Sequence, residues 1–131
     1  MKPLRENSIL ADVRGSLGLN PDEVDLDFDL QIKSAINTSI AELAQLGLRE
    51  LGEFNIEDGS ETWTDLLGED YQYVYAFTKN YIEINTRLLF DPPQSGSLKS
   101  ALDEQLKKAE FNVMTAIELH NITQGGLTNE L

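Results

Sequence analysis

Cysteine is absent from the 131 residues, which excludes disulfides and thiolate metal sites. That suits a reducing compartment. Histidine occurs once, at His120, so no His-x-x-x-His pair or carboxylate–histidine set exists to hold a transition metal. A Ser or Thr nucleophile would need His120 as its base, and nothing around it supports that role. There is no glycine-rich phosphate loop. Long apolar runs are missing, so no stretch is expected to span a bilayer. The first residues, Met-Lys-Pro-Leu-Arg-Glu-Asn, carry no apolar signal core, and a soluble, intracellular product is expected. Basic residues are scarce: 10 Lys and Arg stand against 23 Asp and Glu, a net charge of −13. That balance disfavours a nucleic-acid-gripping surface and an anionic membrane partner. No enzymatic signature, cofactor site or metal site is expected.

What the chain does have is helical periodicity, centred on Tyr81–Pro93. Tyr81, Ile82, Leu88 and Leu89 fall on one face, so this helix is expected at the centre of the core. Pro92 and Pro93 lack N–H groups and push their predecessors out of helical geometry, so Asp91 closes the element.

The first helix is expected over residues 7–18, with Ile9, Leu10, Val13 and Leu17 as its stripe and Asn7 or Ser8 as its cap. Gly18 fits the left-handed position past its end, with Leu19 folding back toward Val13. The acids Asp22, Glu23, Asp25, Asp27 and Asp29 follow. Their alternation suggests a calcium loop, but Leu30 and Ile36 stand where such a loop needs Gly and Glu. Carboxylates gathered at a helix N-terminus are the better reading. The second helix spans about Asp27–Leu46, buries Ile32, Ala35, Ile36, Ile40, Leu43 and Ala44, and ends on Gly47.

Residues 49–60 connect, with Phe54 and Ile56 permitting a short extended piece and Asp58–Gly59 a turn. Thr62 and Asp65 form the outline of a capping box for one or two turns around Trp63, the only tryptophan. Trp63 reads as a plug over one end of the core, its N–H bonded nearby, ahead of an interface anchor. The third main helix is expected from Glu69 to Asp91, with Asn85 in its apolar stripe needing a partner. Arg87 and Asp91 are spaced to pair on the helix surface or to meet a neighbouring subunit. Ser97 should cap the fourth, Leu98–Asn121, whose inward residues are Leu98, Ala101, Leu102, Leu106, Ala109, Val113, Met114 and Ile117. Lys99, Lys107 and Lys108 read as a solvated face.

The fold class is therefore all-α: a small bundle of four main helices, a short extra helical turn around Trp63, and a mobile C-terminal tail. Residues 1–121 form one helical domain and residues 122–131 the tail, which carries Ile122, Leu127 and Leu131.

Three stretches together carry a resemblance: Gln45-Leu46-Gly47, Thr62-Trp63-Thr64-Asp65-Leu66-Leu67-Gly68, and Arg87-Leu88-Leu89-Phe90-Asp91-Pro92-Pro93. In order and spacing the chain resembles the head–tail connector, or adaptor, family of tailed bacteriophages from about Ile9 to Ile117. The resemblance implies a non-catalytic structural subunit, made in the host cytoplasm and housed in the virion neck. It implies a ring of about a dozen copies beneath the portal protein. Such a ring extends the DNA channel, lets DNA pass without specific binding, and offers a platform to the stopper or tail-completion protein. Trp63, Arg87, Phe90, Asp91, Pro92, Pro93, Ile122, Leu127 and Leu131 are the candidate assembly residues. The competing reading is an acidic helical protein that binds a basic partner, as an inhibitor or a nucleic-acid mimic.

Overall fold

Each helix begins and ends where side chains or glycines satisfy its free backbone groups. In the computed structural model, which describes residues 8–129 and the side chains of residues 8–124, α1 spans Ile9–Ser16. Ser8 caps it by accepting from the Ala11 N–H. Gly18, at φ +83°, and Leu19, whose N–H returns to the Arg14 carbonyl at 2.9 Å, close it as expected. Helix α2, Leu26–Leu46, is capped by Asp25 and ends the same way, with Gly47 at φ +137° and the Leu48 N–H on the Leu43 carbonyl. A 3-10 segment, Arg49–Glu53, follows, and then the expected turn at Asp58–Gly59.

Helix α3, Trp63–Leu67, carries the full reciprocal capping box between Thr62 and Asp65. Helix α4 is Tyr75–Phe90, with Asp91 as its cap residue. Its start differs from the expected Glu69. Residues 69–71 turn and Gln72–Val74 form a 3-10 segment first, which lets Val74 reach the core before the α-helix begins. Helix α5, Gly96–Asn129, also departs from expectation. Ser95, not Ser97, stands at its N-terminus, accepting from the Leu98 N–H through its hydroxyl and the Lys99 N–H through its carbonyl. The helix continues past Asn121 through Gly125 and Gly126 to Asn129. A pair of glycines costs helix stability of only about 1 kcal/mol each, too little to stop a helix already propagating.

No strand forms among the described residues; Ser8 and Thr62 make one isolated antiparallel bridge. Helix α4 lies between α2 and α5, and α1 packs across α2 and α4. Ile9, Val13, Ile32, Ile36, Ile40, Leu43, Leu48, Val74, Tyr81, Ile82 and Val113 are sealed in one core. Tyr81 and Ile82 are therefore central, as the apolar spacing requires. Leu88 is half-buried and Leu89 is exposed, because the end of α4 extends beyond the core. The inward face expected for α5 is likewise shortened. Ala109 and Val113 are buried, and Leu102, Leu106 and Ile117 half-buried, but Leu98, Ala101 and Met114 are exposed. Leu98 and Ala101 lie beside the end of α4 that itself extends beyond the core, and Met114 turns away from α4 next to the buried Val113.

Candidate assembly interface

Two polar locks hold the body rigid. Between α2 and α4, Asn85 donates to Ser39 Oγ at 3.0 Å and to Glu42 Oε1 at 2.9 Å, and the Tyr81 hydroxyl donates to the same Glu42 oxygen at 2.7 Å. Asn85 thus has the partner its place in the apolar stripe demanded. Burial and the Glu42 carboxylate push the Tyr81 hydroxyl pKa well up, so it remains a donor. Between α1 and α2, Arg14 meets Asp29 with two parallel bonds and also donates to the Pro21 carbonyl at 2.9 Å. Sequence reading placed Asp29 among the N-terminal acids of α2 and gave Arg14 no role. The available signal was a lone arginine beside the apolar Val13 in a helix otherwise bound for the core.

Trp63 is 2% exposed, and its indole N–H donates to Asp12 Oδ2 at 2.7 Å. Its ring meets Tyr75 edge-on, 5.8 Å between centroids. The plug reading describes it, with the Asp12 carboxylate as the acceptor. Within the subunit it closes the core and offers little surface to a partner.

The corner residues behave differently. Phe90 packs edge-on against Phe28 at 5.6 Å, tying the end of α4 to the start of α2. Asp91 closes α4 through its N–H on the Arg87 carbonyl at 2.8 Å, but among the described residues the two side chains form no ion pair. The Asp91 backbone has already left the helix, at ψ 65°, so its carboxylate no longer follows the helical i,i+4 geometry. Arg87 is exposed and lines a small cleft with Pro93, Leu98, Ala101, Leu102 and Gln105, between α4 and α5. Pro92 is exposed and Pro93 half-buried. Ile122 lies on α5 and is 59% exposed. Leu127 belongs to the α5 backbone, its side chain outside the described part, and Leu131 lies outside the described residues altogether.

The sequence reading named Ile122 as an assembly residue but missed the rest of the outer faces, and it placed Met114 inward. Phe111, Met114, Leu119 and Ile122 are exposed on α5, and Val24, Leu26 and Leu30 on or just before the first turn of α2. For Phe111, Leu119, Val24, Leu26 and Leu30 the signal was present as apolar residues falling off the expected buried stripes. Single exposed apolar residues are ordinary, but several turns of them on one helix mark a contact surface.

Chemistry is sparse by comparison. Among the described residues no cluster of His, Cys, Asp and Glu could hold a metal ion. No described helix is long and apolar enough to cross a membrane. His120 stacks flat on Tyr73, 3.9 Å between centroids, as a packing element of the α5 side. Tyr71 donates to Glu50, which pushes its own pKa up to about 12 and holds the Glu50 carboxyl below its ordinary value.

No curated protein and no solved structure gives a significant match to this chain. A family model does, over residues 9–120, and that span takes in α1 to α4, most of α5 and both locks described above. The chain belongs to the phage connector protein family, a structural and non-catalytic part of the virion's head–tail connection.

Proposed function

We propose that this connector assembles as a ring of about a dozen copies beneath the portal, in the neck of the virion. There it extends the DNA channel and presents a platform to the stopper or tail-completion protein. The observation that carries this reading is α5, whose outward side exposes Phe111, Met114, Leu119 and Ile122 with nothing among the described residues to cover them. A rigid helical block with uncovered apolar side chains on its flank suits side-by-side stacking. Heterologous contacts of that kind close into rings. A net charge of −13 suits a conduit that repels its cargo instead of binding it. Residues 122–131 serve as a tail beyond the body, consistent with the exposure of Ile122 and its neighbours through Gln124.

The test is reconstitution. The full chain is mixed with the portal of the same phage and imaged by electron microscopy. Rings stacked coaxially on the portal are expected. Two species that sediment independently at every salt concentration tried would refute the reading. Capture instead of a basic host protein would favour the acidic partner-binding alternative.

A further inference from the structure

The connector between Ile56 and Thr62 contains a chemically vulnerable step. Asp58–Gly59 is the one Asp–Gly pair in the chain, and Asn–Gly does not occur. In such a pair no side chain on the second residue shields its amide nitrogen. That nitrogen can lose its proton and attack the Asp Cγ when the carboxyl is protonated. The N–Cγ bond forms, a Cγ–O bond breaks, and water leaves, made of the carboxyl hydroxyl and the amide proton. Water then opens the succinimide ring. Attack at Cγ restores aspartate. Attack at the backbone carbonyl carbon leaves the chain running through Cγ, one carbon longer, as isoaspartate.

In the folded chain both reacting groups are occupied. Asp58 is exposed and Gly59 half-buried. Asp58 Oδ1 accepts from the Ser60 N–H at 2.8 Å and from the Ser60 hydroxyl at 2.7 Å. Those bonds hold its carboxyl below the ordinary pKa, in the ionised form that has no hydroxyl to release. The Gly59 N–H donates to Glu61 Oε1 at 3.0 Å, and the other oxygen of that carboxylate takes the Glu57 N–H at 2.8 Å. Removing the Gly59 proton would set a second negative charge against Glu61. We propose that Asp58–Gly59 is a latent isoaspartate site, kept unreacted in the folded protein by the side chains of Glu61 and Ser60. This role stands apart from assembly and does not depend on the ring reading.

The modification would reach the core. Both ends of the turn are pinned. Asn37 grips Ile56, accepting its N–H at 2.7 Å and donating to its carbonyl at 3.2 Å, and the Ile9 N–H donates to the Glu61 carbonyl at 2.8 Å. Gly59 lies against Leu10, where even a Cβ would come within 2.8 Å of Cδ2. An extra backbone carbon between fixed ends cannot be taken up by sliding. It presses on Leu10, which is buried, and loosens α1. A virion component is not resynthesised after assembly, so slow chemistry of this kind accumulates.

The test is controlled ageing. The full chain is kept in warm neutral buffer, and isoaspartate at residue 58 is quantified by isoaspartyl methyltransferase labelling and peptide mapping. The same chain unfolded in guanidinium chloride is the reference. Folded wild type should react more slowly than the unfolded chain by on the order of tenfold or more, because reaction proceeds only through local opening. Glu61→Ala and Ser60→Ala should each raise the folded rate several-fold, and Glu61→Gln, which keeps an acceptor, should fall between. Circular dichroism verifies that each variant is folded. Ser60 is exposed, so its variant decides the matter if Glu61→Ala unfolds. Equal rates in buffer and denaturant would overturn the proposal. So would folded Glu61→Ala and Ser60→Ala chains that age no faster than wild type. Aged Glu61→Ala should also melt lower than fresh protein, in proportion to its isoaspartate. An unchanged midpoint would overturn the link to α1.

Discussion

The guanidinium of Arg14 holds the carboxylate of Asp29 fork to fork, Nε to Oδ1 at 3.0 Å and Nη2 to Oδ2 at 2.6 Å, with both residues buried. This pair fixes the short helix α1 to α2. Arg14→Met should lose about 3 kcal/mol in urea unfolding at neutral pH, because it strands a buried carboxylate. A loss below about 1 kcal/mol would show that the pair does not secure α1. The dependence on acid has a definite sign. Hydrogen bonds from Arg14 hold the Asp29 carboxyl below its ordinary 3.8. The unfolded chain therefore takes up this proton first as pH falls. The stabilisation is complete above about pH 4 and disappears as pH drops through the lower folded value. The wild-type and Arg14→Met stabilities should converge there.

Thr86 presents the opposite case. It is fully buried on α4, and its Oγ1 has no hydrogen-bond partner among the described residues. Thr86→Val keeps the shape and removes the unsatisfied hydroxyl. It should be neutral or stabilise by up to about 1 kcal/mol. A clear loss of stability in thermal or urea unfolding would reveal a partner for this hydroxyl in the native protein.

Gly59 turns the connector back over α1 at φ +91°, and an added Cβ would lie 2.8 Å from Leu10 Cδ2 in the core. Gly59→Ala carries both backbone strain and a clash with a buried side chain. About 1–3 kcal/mol of destabilisation is expected. An unchanged urea midpoint would mean that the turn adopts another geometry in solution.

Pro92 and Pro93 separate α4 from α5. Replacing both with alanine should allow helix to propagate across the corner and change the angle at which α5 leaves the body. Helicity by circular dichroism should hold or rise slightly, while ring assembly on the portal falls. Equal assembly by the Pro92→Ala/Pro93→Ala variant would show that the stop is not needed.

Phe28 and Phe90 illustrate what one-dimensional reading could reach. The stop after Phe90 was legible, because prolines act within one or two residues of themselves. So were the glycine endings at Gly18 and Gly47, the Thr62–Asp65 box, and the central place of Tyr81 and Ile82. The contact of Phe90 with Phe28 was not legible, since 62 residues separate them. Nor was Trp63 on Asp12, or Arg14 on Asp29. The buried face of α5 was overdrawn for a related reason. Periodicity shows which side of a helix faces inward but not how many turns have a neighbour.

Local chemistry by itself determined the presence of the main helices, the caps of α1 and α3, the absence of cysteine and the strongly acidic charge, because each depends on residues within a turn or on a simple count. Only the tertiary arrangement decided which apolar side chains were left over. Helix α5 outruns the short α4, and α4 keeps α2 from covering it. Phe111 and Met114 are exposed because they face away from α4, beside the buried Ala109 and Val113, and Ile122 because α5 outruns α4; no sequence window contains either fact.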